Sequence, residues 1–253
     1  MPDISTINGV DVTDISSFAG TTLADGQTID GQNVALGFSP IITTFNTGST
    51  PTGWTTSYGI SPSFSWTSNG NFFNMWGDVG NNSYRLRYST GFAASDVGSG
   101  SWLWQYSWYN QNDPGGSWCE DLGFAFWTGS VSSTVNWVWG ANSSRVAVQH
   151  NCPTPYIYTN SSTTAGTSSA LTNYTEYMTA HVYWTPSTSS VTYRITSGQN
   201  DWTESGTTRQ SPISNSTGVY GTGTTVYIGF SADNDVGNSG NATNLYSCRI
   251  SQV

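Results

Sequence analysis

Apolar and polar positions alternate with a period of two through much of this chain. The pattern is strongest at Tyr84-Arg85-Leu86-Arg87-Tyr88, at Trp102-Leu103-Trp104-Gln105-Tyr106-Ser107-Trp108 and at Ser190-Val191-Thr192-Tyr193-Arg194-Ile195-Thr196. A period of two places alternate side chains on opposite faces of a strand, one buried and one outward. Further β-rich runs occur at Phe72 to Trp76, Gly123 to Thr128, Val135 to Trp139, Arg145 to Gln149, Tyr177 to Trp184, Thr225 to Ser231 and Leu245 to Ile250, separated by Gly, Asn, Ser and Pro clusters. Hardly any stretch after Phe38 has helical periodicity. About a dozen short strands with turn signals between them predict an all-β protein, an antiparallel two-sheet β-sandwich or jelly roll over residues 38–253. The Ser/Thr-rich segment Thr159 to Ala170 reads as an exposed loop.

Residues 1–37 are organised differently. Ile7-Asn8-Gly9, Phe18-Ala19-Gly20 and Ile29-Asp30-Gly31 recur every 11 residues, each followed three positions after its Gly by Val12, Leu23 or Val34. Each unit predicts a short strand, a Gly turn and a second short strand, too small to bury its own apolar face. Such units need a neighbour, either the body of the chain or another chain. The functional expectation is an anchor and assembly segment using Ile7, Gly9, Val12, Phe18, Gly20, Leu23, Ile29, Gly31 and Val34. The repeat resembles the Ile-Asn-Gly-Val tandem segments near the start of many bacteriophage virion proteins. That resemblance implies a virion protein attached to another virion component, with self-association into a homo-oligomer.

Composition narrows the partners. Of 253 residues only 8% are charged, the net charge is −9, and the six basic residues are all arginine. Such a surface cannot neutralise a phosphate backbone or dock on an anionic bilayer, so no nucleic acid and no membrane surface is expected as partner. Twelve Trp in a chain that is 14% aromatic provide enough apolar area to oppose the entropy of ordering, which argues against disorder. The amino end has no signal-peptide pattern and no apolar run approaches membrane-spanning length, so neither export by a leader nor membrane insertion is expected. Cys119, Cys152 and Cys248 show no zinc-ligand spacing and read as buried thiols.

The order of runs from Gly123-Phe124-Ala125-Phe126 through Arg145-Val146-Ala147-Val148-Gln149-His150-Asn151 and Tyr177 to Trp184, ending in Tyr227-Ile228-Gly229-Phe230-Ser231-Ala232, resembles the strand series of the concanavalin A-like lectin and glucanase sandwiches over residues 118–250. The resemblance implies two curved sheets face to face, with ligands taken at loops on the concave side. Metal-dependent members hold calcium with a Glu-x-Asp strand end and an upstream Asp-Gly pair. Here Gln149 and Asn151 occupy the first pair and Leu122 precedes Gly123, with Asp121 one residue early. Neutral amides do not replace carboxylates for a hard cation, so no calcium and no cofactor is expected. Cys119 and Cys152 flank these two strand ends, and the resemblance implies a disulfide between them if the strands are neighbours.

Hydrolases on this sandwich carry a run of closely spaced carboxylates on one strand. This chain has three Glu, at 120, 176 and 204, in separate segments, and neither His150 nor His181 accompanies a recognisable nucleophile. No catalytic residue is expected. Sugar binding without metal uses aromatic faces for CH groups and amides or carboxylates for hydroxyls. Most Trp residues read as sandwich filling, but Trp118 and Trp202 lie among Asn, Asp and Gly at loop positions and are the expected exposed platforms. With Asp121, Asn151 and the loop residues Asp233, Asn234 and Asp235 they form the candidate glycan-binding set. Asp233 to Asp235 also reads as an Asx-turn loop. The functional expectation is a non-catalytic virion adhesin on the particle surface, made in the host cytoplasm and binding a host glycan. A structural decoration or fibre-knob protein and a glycan-degrading enzyme are the alternatives.

Overall fold

The computed structural model describes residues 6–7, 10–11, 17–18, 21–22, 28–29, 32–33, 38–45, 50–57, 73–75, 84–110, 121–128, 145–150, 154–159, 163–166, 176–218, 220–233 and 243–253. The amino-terminal segment holds three hairpins: β1 (Thr6–Ile7) with β2 (Val10–Asp11), β3 (Ser17–Phe18) with β4 (Thr21–Thr22), and β5 (Thr28–Ile29) with β6 (Gln32–Asn33). The partners Ile7↔Val10, Phe18↔Thr21 and Ile29↔Gln32 stand in one register. Each pair is bridged by two residues ending in Gly, the composition that tight hairpin connections favour. Each hairpin is a two-stranded sheet of its own. Of the expected assembly residues, Ile7, Phe18 and Ile29 lie on first strands, whereas Gly9, Val12, Gly20, Leu23, Gly31 and Val34 lie outside the described residues.

The body follows as β7 (Ile41–Thr44), β8 (Trp54–Ser57), β9 (Phe73–Met75), β10 (Tyr84–Tyr88), β11 (Phe92–Ala93), β12 (Trp102–Asn110), β13 (Asp121–Trp127), β14 (Arg145–His150), β15 (Pro155–Tyr158), β16 (Thr163–Ala165), β17 (Glu176–Thr185), β18 (Ser190–Ser197), β19 (Thr208–Ser216), β20 (Thr225–Asp233) and β21 (Thr243–Gln252). Two antiparallel sheets result. The eight-stranded sheet runs β16-β15-β14-β13-β20-β10-β8, with β11 also on β20, and the seven-stranded sheet runs β19-β18-β17-β12-β21-β7, with β9 also on β21. The expected all-β two-sheet sandwich is the fold observed. Among the described residues no helix is long and apolar enough to cross a membrane.

Alternation explains the layering. On β12, Trp102, Trp104, Tyr106 and Trp108 turn inward and join one core with Leu122, Phe124 and Phe126 of β13, Val146 and Val148 of β14, Val182 and Trp184 of β17, and Ile228 and Phe230 of β20. Aromatic rings interlock across the layers: Trp104 lies 5.0 Å from Phe126 and 5.5 Å from Phe124, and Tyr106 lies 5.1 Å from Phe230. Two indole N–H groups in this core find backbone acceptors, Trp102 on the Ala93 carbonyl at 2.8 Å and Trp184 on the Tyr220 carbonyl at 3.0 Å. Cys248 is buried as a free thiol, and burial raises its pKa.

Two sequence expectations need correction. Thr159 to Ala170 is not all loop, because Thr163–Ala165 forms an edge strand on β15, with Thr164 opposite Ile157. Polar, exposed edges hide the alternation that buried strands display. The nine-residue β19 was also absent from the predicted runs. Its sequence Thr-Arg-Gln-Ser-Pro-Ile-Ser-Asn-Ser contains Pro212, which an edge strand tolerates and a central one does not. The run Val135 to Trp139 lies outside the described residues.

Candidate functional site

The same period of two that sends four aromatics of β12 inward sends Gln105 and Ser107 outward. Cross-strand register then builds two polar rows on the outer face of the seven-stranded sheet. Arg249, Gln105, His181 and Arg194 stand side by side in one row, and Ser247, Ser107, Thr179 and Thr196 in the next. An outer face is ordinarily wet, yet Gln105, Ser107, Thr179, His181 and Thr196 are fully buried. The β18–β19 connection lies over both rows, and polar groups buried in this way must find partners.

They do so with few exceptions. Ser107 Oγ accepts from Asn200 N at 3.2 Å, Thr179 Oγ1 donates to the Gly198 carbonyl at 2.8 Å and accepts from Asp201 N at 3.1 Å, and Ser247 Oγ donates to Asn200 Oδ1. The first row forms a directed chain. Arg249 Nη1 donates to Gln105 Oε1 at 2.8 Å, which leaves Gln105 Nε2 to donate to His181 Nδ1 at 2.9 Å and to the Trp202 carbonyl at 3.0 Å. His181 is therefore the tautomer protonated at Nε2, donating to Thr196 Oγ1 at 2.8 Å, and Thr196 donates to Asp201 Oδ2 at 2.7 Å.

Asp201 closes the loop on itself. Besides Thr196, its carboxylate accepts from Gly206 N at 2.8 Å, Ser205 N at 2.9 Å and Ser205 Oγ at 3.2 Å. Burial alone raises the Asp201 pKa, but these hydrogen bonds outweigh it and hold the carboxyl below its ordinary value. Asn200 and Glu204 both sit at φ 58°, a left-handed conformation that costs a non-glycine residue about 1 kcal/mol. Glu204 is fastened there by Arg194 Nη1 at 2.8 Å, with His181 Nδ1 3.8 Å from its other oxygen. Burial raises the Glu204 pKa despite that guanidinium. At Gly206, a Cβ would lie 2.0 Å from the Ser197 carbonyl oxygen and 2.9 Å from Asp201 Oδ2. Gly206→Ala is therefore expected to lower stability by about 1–3 kcal/mol, measured by chemical denaturation; an unchanged midpoint would contradict this loop geometry.

The loop borders an open, shallow cavity of about 430 Å³ lined by residues 197–203, 205 and 206. That size lies within the range of small-ligand sites. Trp202 is half-buried in its wall and its indole N–H makes no hydrogen bond among the described residues, while Gln199 beside it is exposed. Asp201 and Glu204 have pKa values driven in opposite directions, an arrangement that acid–base catalysis exploits. The geometry argues against that use. Asp201 accepts four hydrogen bonds from its own loop and the strand beneath it, and Glu204 is paired with Arg194 and is not among the lining residues.

Solved structures with the same arrangement of strands are numerous. Arcelin-5, a lectin-like defense protein from Phaseolus vulgaris, superposes with a TM-score of 0.58 at 12% identity over 85% of this chain and 98% of its own. The metal-free form of lectin I-B4 from Griffonia simplicifolia gives 0.55 at 14% identity over 84% and 99%. Winged bean acidic lectin complexed with methyl-α-D-galactose gives 0.54 at 12% identity over 85% and 100%. The fold is the legume-lectin sandwich. No protein-family profile and no curated protein matches the sequence. The structural likeness extends well beyond residues 118–250, because β7, β8, β10 and the first strand of the polar rows, β12, complete the same two sheets.

Against that lectin frame the predicted site residues separate. β13 and β14 are neighbours, with Leu122 opposite His150 and Gly123 opposite Gln149, and Leu122 is buried in the core. Asp121 stands directly opposite Asp233 on β20, so the register brings two members of the candidate set together. Trp202 lies on the β18–β19 connection of the other sheet, away from this strand pair. Trp118, Asn151, Asn234, Asp235, Cys119 and Cys152 lie outside the described residues. The residues of this candidate site that sequence reasoning did not single out are Gln199, Asn200 and Asp201 at the cavity and Gln105, His181 and Thr196 beneath it. No local signal marks them, because a hydrogen-bonding outward row reads the same in sequence whether it is wet or covered.

Proposed function

We propose that this chain is a non-catalytic, lectin-like glycan-binding protein and that the Trp202 cavity takes the sugar. The observation that carries this reading is the cavity itself: an indole wall among amides and hydroxyls, on a loop held rigid by a buried hydrogen-bond network. Support comes from the shared fold with lectins, one of them complexed with a galactoside. The ion-paired state of the two described glutamates also favours binding over catalysis. Glu176 pairs with Arg209 at 2.6 Å and Glu204 with Arg194 at 2.8 Å.

The finer reading is a bacteriophage adhesin displayed on the virion surface. The 11-residue repeat attaches it to another virion protein and gathers several copies, so that weak single-site recognition of host glycan becomes strong attachment. Trp202→Ala is expected to reduce binding to immobilised host polysaccharide about tenfold or more without altering the melting temperature. Removing residues 1–37 is expected to leave single-site affinity intact while abolishing particle attachment. Stoichiometric incorporation into particles with no glycan binding would replace this reading by a structural decoration role.

A further inference from the structure

The lectin reading leaves the class of sugar open, and the charges around the cavity narrow it. Four formal charges border the Trp202 loop; Asp201, Glu204 and Arg194 are satisfied by charge partners or hydrogen bonds within the protein, and Arg249 points Nη1 inward to neutral oxygens. Asp201 accepts four hydrogen bonds from Thr196, Ser205 and Gly206, which fills the acceptor capacity of a carboxylate. Glu204 and Arg194 neutralise each other at 2.8 Å. Arg249 directs Nη1 inward to Gln105 Oε1 at 2.8 Å and toward the Trp202 carbonyl at 3.4 Å, and it is not a lining residue. His181 beneath the loop is neutral, because its Nδ1 accepts a hydrogen bond from Gln105.

What the cavity offers a ligand is therefore dipolar: the Gln199 amide, the Asn200 Nδ2 donors, the Trp202 indole and the acceptor oxygens of Thr203 and Ser205, whose hydroxyl protons serve each other and Asp201. Amides and hydroxyls match sugar hydroxyls, which donate and accept alike, and an indole face matches the CH side of a pyranose. An anion entering beside Asp201 meets a carboxylate and a chain of net charge −9, and Arg249, whose described partners are the neutral Gln105 amide and the Trp202 carbonyl, is not among the lining residues. A divalent cation would have to displace the Ser205 and Gly206 donors and open the loop.

We infer that the Trp202 cavity binds an uncharged saccharide directly, with no bridging cation and no ionic contribution to affinity. This inference rests on the glycan-binding reading. The test presents the full-length chain with immobilised neutral glycans, terminated in galactose, glucose, mannose or N-acetylglucosamine, and with sialylated, uronate and sulfated ones. Binding to at least one neutral glycan is expected, changing by less than about twofold in EDTA or in molar salt. Trp202→Ala should lose about tenfold, Trp202→Phe should retain most of the affinity by keeping an aromatic face, and exposed Gln199→Ala should lose part of it. Should Trp202→Ala fail to fold, the Gln199 variant carries the same comparison. Binding confined to acidic glycans, or abolished by EDTA, and still dependent on Trp202 would overturn the inference and leave the lectin reading standing. Glycan binding indifferent to both Trp202 and Gln199 would remove the sugar from this cavity. Binding to no glycan at all would overturn the lectin reading and this inference together.

Discussion

Lowering the pH from neutrality to about 4 is expected to destabilise this protein by about 3 kcal/mol through one buried side chain, His181. Burial is the main cause of its lowered pKa, the nearby Arg194 guanidinium lowers it further, and Asp201 acts weakly the other way; the value falls from 6.5 to about 4. A histidine held below its ordinary value binds fewer protons folded than unfolded. Its contribution is therefore whole above pH 6.5 and is lost progressively as the pH falls toward about 4. The direction of the hydrogen bonds also favours the neutral ring. A proton on Nδ1 would face the Gln105 amide N–H, whose own oxygen already serves Arg249.

Two neighbours modulate the profile. Glu204, held above its ordinary value, binds protons more readily when folded and offsets part of the loss as the pH falls. Asp201, held below its ordinary value, adds a further loss that begins as the pH falls through the ordinary carboxylate range and continues below it. Comparing denaturation of the wild type with His181→Gln, which retains an acceptor and a donor, isolates the histidine. The difference between the two proteins should change by about 3 kcal/mol across this window. A constant difference would mean that His181 is not held neutral in the fold.

The second large effect is in the core. Trp104→Ala is expected to cost about 3–5 kcal/mol, because the indole is fully buried and sits within 5.0 to 5.9 Å of the Phe126, Phe124 and Trp184 rings. Trp104→Phe should cost far less than its lost area alone implies. The Trp104 indole N–H is buried with no hydrogen-bond partner among the described residues, and removing such a donor recovers about 1–3 kcal/mol. Denaturant titration of both variants checks the pair. A loss from Trp104→Phe as large as its lost buried area predicts would show that the unmet N–H costs nothing.

How far the fold was legible follows from where each strand lies. β12, β17, β18 and β20 read clearly because central strands with one face against a core must alternate or run apolar, and these positions are buried as the pattern requires. β16 and β19 were not legible. They are edge strands, whose outward rows and Pro212 carry no core signal. At the candidate site, Trp202 was visible as an aromatic in a polar loop, but its supporting residues were not. Gln105 and His181 are 76 positions apart and meet only because β12 pairs with β17.

The sequence by itself determined the sandwich, the 11-residue amino-terminal period and the departures from the metal-binding lectin pattern at Leu122, Gln149 and Asn151, since these depend on residue type and local spacing. Only the tertiary structure decided that the connection carrying Trp202 and the Asp121–Asp233 pair belong to different sheets, and that the carboxylates beside Trp202 are committed to holding a loop. Strand order and the length of a connection set which polar face is covered. Those are long-range properties, fixed by how the two sheets bury their common core rather than by any local pattern of residues.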